Sequence, residues 1–197
     1  MISSFAILIG LGILISNCLH GYQEQKIDNE YIKDFFVEDS KDVYLESDGE
    51  VIKAKTKNTH YIAVLEIPTI SLKRGLVNQT SKDNNVDRNI EILTPSDMPN
   101  VSNSNLILAG HSGSGWNAFF KNLNKVSLDD TINLYFENNK YIYKVNNIYT
   151  ENKDGTVAIN NSDKTTLVLT TCVPNNKKLQ LVVIAELLEI NLIGGIN

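Results

Sequence analysis

Near the end of the chain runs Thr165-Thr166-Leu167-Val168-Leu169-Thr170-Thr171-Cys172. Its apolar centre, Leu167-Val168-Leu169, is flanked by threonines and reads as a buried β-strand. Pro174 and Asn175-Asn176 follow at once and end it. The strand delivers a cysteine at its C-terminal end, beside a loop, where a substrate can reach it. A second delivery lies upstream in Asn105-Leu106-Ile107-Leu108-Ala109-Gly110-His111, an apolar strand ending in a histidine and followed by Ser112-Gly113-Ser114-Gly115. Taken singly, a cysteine is usually a small buried hydrophobe and a histidine a satisfied surface or core residue. Two strands ending in Cys172 and His111 point instead to a thiol nucleophile and its acid/base partner.

Around these two strands the pattern is that of an all-β domain. Residues 61–67 and 70–77 read as strands meeting at Pro68, 90–93 as a brief one, and 131–136 with 141–146 as a hairpin around Glu137-Asn138-Asn139-Lys140. Residues 180–188 form the final strand. Between His111 and the hairpin, Trp116, Phe119, Phe120 and Leu123 recur at i, i+3, i+4 and i+7, which predicts one short helix with a core-facing stripe. Many short strands, few helices and closely spaced turns mean a barrel or sandwich. The 197 residues accommodate one such domain and an appendage.

The appendage is N-terminal. Residues 2–19 carry no charge and, as a helix, would span about 27 Å, close to a hydrocarbon core. Ser16-Asn17-Cys18 is a poor cleavage site for a secretory or lipoprotein signal, so an uncleaved membrane anchor is expected over residues 1–20. No Lys or Arg precedes it, whereas Lys26 and Lys33 follow, a charge bias that argues for a cytoplasmic domain. Residues 21–58 are polar and read as a stalk. Ile27, Tyr31, Phe35 and Phe36 predict a short amphipathic helix over 28–37 within it, and Ser47-Asp48-Gly49-Glu50 predicts a turn. The strand-rich domain occupies 59–190. With Cys18 inside the apolar stretch, Cys172 is expected to be a free thiol. The net charge of −5 speaks against nucleic acid as a partner. Nothing in the pattern calls for a cofactor or a metal.

Three segments, in order, resemble the sortase family: residues 61–68 its first strand, Leu108-Ala109-Gly110-His111 its histidine segment, and Leu167–Cys172 its T-L-x-T-C signature. The resemblance covers residues 61–188. It implies a closed eight-stranded β-barrel and a cysteine transpeptidase with Cys172 as nucleophile and His111 as acid/base. It further implies an extracellular domain on a single-pass membrane anchor, against the lysine bias. Its partners would be the LPxTG-like sorting peptide of surface proteins and an amine acceptor, a cell-wall precursor or a pilin lysine. The family also carries an arginine at the start of the last strand. Here the only arginines are Arg74 and Arg88, both upstream. Gln180 stands in the arginine's place, and period-two alternation puts Lys178 on the same face. Gln180 is therefore expected to donate to the oxyanion or position the substrate, with Lys178 as a second contributor. Two other readings compete. A cell-wall L,D-transpeptidase carries an S-x-G-C motif that Thr171-Cys172-Val173 does not match. A membrane-anchored β-domain without transpeptidase activity, a degenerate sortase or binding module, fits the missing arginine.

Overall fold

The structure, a computed structural model, describes residues 2–39, 60–157 and 163–193. It opens with a helix, α1 (Ile2–Asp39). Eight strands follow: β1 (Ala63–Ile67), β2 (Leu72–Leu76), β3 (Glu91–Ile92), β4 (Asn105–Ala109), β5 (Thr131–Phe136), β6 (Asn139–Asn152), β7 (Thr166–Val173) and β8 (Asn176–Leu192). They form one sheet in the order β2-β1-β5-β6-β8-β7-β4-β3. Every pairing is antiparallel except β4 with β7.

The sheet curls into a nearly closed barrel rather than a fully closed one. The two ends of the ladder, β2 and β3, are joined by side chains: Asn89, just before β3, donates from Nδ2 to Gly75 O at 3.0 Å and accepts from Arg74 Nε at 2.9 Å. Alternation along the strands fills the interior. Leu65, Ile67, Leu106, Leu108, Leu167, Leu169, Val183 and Ala185 meet there, all fully buried. Each such Leu contributes roughly 1.5–3 kcal/mol relative to exposure. The intervening residues Ile107, Val168 and Val182 face the other way and form a second buried apolar cluster on the outer face of the sheet, covered by Leu93, Tyr149, Val157 and Ile184.

Several boundaries differ from those expected. The hairpin loop holds two residues, because Phe136 pairs with Asn139 and Glu137 takes a left-handed φ of 47°. Residues 68–71 are spent on a one-turn 3₁₀ helix (Pro68–Ile70) closed by Ser71 at φ 52°, so β2 starts late. The helix expected over 116–123 is absent. Its place is taken by turns that end in a second 3₁₀ helix, Leu123–Lys125. The Phe120 N–H is bound to His111 O at 2.9 Å, which takes it from the helical ladder. The apolar stripe is split accordingly. Phe120 and Leu123 enter the barrel, Phe119 lies under the Arg74 guanidinium and Trp116 meets His20 of α1.

The expected short helix over 28–37 is part of the 38-residue α1, and its buried face is rotated from the apolar stripe. Asp28, Ile32 and Phe35 are buried, whereas Ile27 and Tyr31 are exposed. Asp28 sets that rotation: Oδ1 accepts from the Tyr61 hydroxyl at 2.7 Å and Oδ2 lies 3.2 Å from Arg74 NH1. Ile32 and Phe35 then pack on Tyr61, Val64 and Val77. Among the described residues no helix is long and apolar enough to cross a membrane. The anchor expected over 1–20 falls largely on residues whose side chains lie outside the described set, as do the stalk residues 40–58 and the turn at 47–50.

Candidate active site

The parallel pair β4–β7 positions the two predicted chemical groups. Its register sets Ala109 beside Thr170. Two contacts carry the pairing past the strand end: Gly110 N–H donates to Thr170 O at 3.2 Å, and the Thr171 hydroxyl donates to Gly110 O at 2.6 Å. The next residues in register are His111 and Cys172. Both share the parity of Ile107 and Val168, so both belong to the outer face, on strands that run about 4.8 Å apart. They leave the sheet at the same end, just past the buried cluster of Ile107, Val168 and Val182.

Gly110 is required where it stands. A Cβ there would lie 2.9 Å from the Phe120 ring, which is itself buried in the barrel. The absent side chain lets the chain pass over Phe120 and present His111.

Each group has a partner of its own. His111 Nε2 lies 3.1 Å from Asp87 Oδ1, in the loop before β3 whose Asp87 carbonyl accepts from Asn117 Nδ2 at 3.0 Å. Cys172 is a free, partly exposed thiol, and its Sγ lies 3.2 Å from Nζ of Lys153. Among the described residues His111 and Cys172 share no hydrogen bond. Neither Asp87 nor Lys153 was singled out in the sequence. Both sit in polar loops, distant along the chain from the groups they meet, and only the topology joins them.

A sortase-domain family model matches residues 65–188, more than half of the chain. The chain belongs to the sortase family. Its fold resembles solved sortases. One is a lid mutant of sortase A from Corynebacterium diphtheriae, with 25% identity, a TM-score of 0.58, and 66% of this chain and 71% of that one covered. Another is the sortase D5 transpeptidase of Clostridium perfringens, with 24% identity, a TM-score of 0.60, and 84% and 98% covered. A third is Streptococcus pneumoniae sortase C, described for its catalysis and pilin substrate specificity, with 19% identity, a TM-score of 0.59, and 85% and 93% covered. No curated protein matches the chain.

In this sortase Gln180 is the cross-strand partner of Cys172 on β8. It is buried, and its amide nitrogen is engaged twice, by Glu151 Oε1 at 2.8 Å and by Thr156 O at 2.5 Å. Both N–H bonds of that amide are thereby used. The alternation that put Lys178 beside Gln180 is interrupted. Cys172 pairs with Gln180 but Val173 pairs with Asn176, so Lys177, Lys178 and Leu179 form a bulge towards β7. Lys178 is exposed and contributes backbone contacts, its N–H to Asn176 Oδ1 at 3.2 Å and its carbonyl to Lys153 N–H at 2.8 Å. The two arginines act elsewhere: Arg74 pairs with Asp28, and Arg88 with Asp83 at 2.6 Å. Among the described residues no group of three or more His, Cys, Asp and Glu is placed to hold a metal ion.

Proposed function

We propose that this sortase is a cysteine transpeptidase in which Cys172 is the nucleophile and His111 the general acid and base. The reading rests on one relationship, the in-register exit of His111 and Cys172 from adjacent parallel strands on one face of the sheet. An extended peptide entering at the ends of β4 and β7 would bring a carbonyl to the sulfur. The Cys172 thiol gives its proton to His111, Sγ bonds to the carbonyl carbon, the C–N bond breaks, and the leaving amine takes that proton from His111. The product is a thioester on Cys172. An incoming amine then gives a proton to His111 and attacks the thioester carbon, and the C–S bond breaks to release a new amide and the thiol.

The substrate class is the LPxTG-like sorting signal of surface proteins, and the acceptor is an amine of a cell-wall precursor or a pilin lysine. Residues 1–20 act as a single-pass anchor with the catalytic domain outside the cell. Support for this placement comes from the uncharged run over residues 2–19. The rival reading, a sortase-like domain that binds without catalysing, draws on the absence of an arginine at position 180. Incubation of the full chain with a library of sorting-signal peptides and an amine acceptor separates the two. Transpeptidation product formed by the wild type and lost in both Cys172→Ala and His111→Ala supports the enzyme. Peptide binding without product, unchanged in Cys172→Ala, supports the binding module.

A further inference from the structure

We infer that Lys153, on the loop between β6 and β7, is a catalytic residue: it is the cation that serves the Cys172 sulfur and the oxyanion formed beside it, and Gln180 positions the loop that presents it. The inference rests on the transpeptidase reading above and assigns to a loop lysine the charge that no arginine supplies.

The geometry is specific. Lys153 Nζ stands 3.2 Å from Cys172 Sγ, and among the described residues it has no carboxylate partner. An ammonium beside a sulfur favours the anionic thiolate, which is the nucleophile. Once Sγ has bonded to a carbonyl carbon, the oxyanion is two bonds from the sulfur. A flexible stem with three donors can follow the charge from one atom to the other.

The loop holds the lysine in place at both ends. On one side Lys153 N–H donates to Lys178 O at 2.8 Å. On the other, Gln180 Nε2 donates to Thr156 O at 2.5 Å while also binding Glu151 Oε1 at 2.8 Å. Between them Asp154 Oδ1 accepts from the Thr156 N–H at 3.0 Å and its hydroxyl at 2.7 Å, and Gly155 takes φ +90° to close the turn. The two nearby carboxylates are thus engaged, Glu151 by the Gln180 amide and Asp154 by Thr156. Gln180 is in this account a positioning residue: it lies opposite Cys172, but its amide grips the lysine's loop.

The test uses iodoacetamide, which alkylates a thiolate without needing any peptide substrate. The rate at Cys172 is followed at pH 7 by mass spectrometry of its tryptic peptide in the full chain. Replacing Lys153 by Gln should slow alkylation roughly tenfold, since a hydrogen bond to a charged group is involved but at an exposed position. Lys153→Arg should retain most of the rate. Molar salt should slow the wild type and leave Lys153→Gln unaffected. Gln180→Ala should slow the wild type but have little further effect in the Lys153→Gln background, the coupling expected of residues acting as a unit. An unchanged rate in Lys153→Gln overturns the inference. Additive losses from Lys153→Gln and Gln180→Ala overturn the positioning role. Lysine-dependent alkylation without product from any sorting peptide instead overturns the transpeptidase reading and leaves the contact between Lys153 and Cys172 standing.

Discussion

The Asp87 carboxylate lies 3.1 Å from Nε2 of His111, across a separation of 24 residues in the chain. It engages one ring nitrogen, and under the transpeptidase reading the other, Nδ1, carries the proton transfers. Asp87 is highly exposed, its side chain retaining 85% of its accessible surface, and an exposed pair contributes only about 0.2–1 kcal/mol. Asp87→Ala should therefore lower the transpeptidation rate by less than about fivefold. A loss of several orders of magnitude in steady-state assays would mean that Asp87 does more than orient the ring.

Gly110 makes a sharper prediction. A methyl group there meets the buried Phe120 ring at 2.9 Å, and Phe120 N–H is bound to His111 O. Gly110→Ala must move one or the other. Overpacking of this kind costs about 1–3 kcal/mol. Denaturant unfolding should show that loss, and Cys172 acylation should fall while iodoacetamide still labels the thiol.

Asp28 ties α1 to the barrel through Arg74 and Tyr61. Removal of one partner leaves a buried charge uncompensated, at a cost of about 3–5 kcal/mol. Asp28→Ala should destabilise the chain by that order. It should also raise hydrogen exchange in α1 and in the segment around Phe119, which lies 4.3 Å from the Arg74 guanidinium.

Inside the barrel the Tyr143 hydroxyl is buried without a hydrogen-bond partner among the described residues, and burial raises its pKa above the ordinary tyrosine value. Its phenol stays neutral across the working pH range. Tyr143→Phe removes a polar atom that finds no partner. Thermal unfolding should show a Tm unchanged or higher, and a fall of several degrees would indicate a bond that the structure does not contain.

The sequence made the strand ends legible because apolar runs closed by breaker residues report strand limits directly. Leu167-Val168-Leu169 before Cys172 and Leu106-Ile107-Leu108 before His111 are such runs. It did not reveal the bulge at 177–179, because a run of Lys177, Lys178 and Leu179 looks the same in or out of register. Trp116, Phe119, Phe120 and Leu123 have helical spacing, yet the Phe120 N–H goes to His111 O, a tertiary bond no local pattern reports. Lys153 and Asp87 were missed for the same reason. Their loops carry no periodicity, and their partners are set by which strands lie side by side.

If Cys172 carries the acyl group, intact-protein mass spectrometry will show it. The full chain is incubated with a sorting-signal peptide that serves as substrate, without an amine acceptor, and quenched in acid. The expected result is a mass increase equal to the N-terminal peptide fragment, localised to Cys172 by digestion and absent from Cys172→Ala. An adduct on another residue, or product formation by Cys172→Ala, would contradict it.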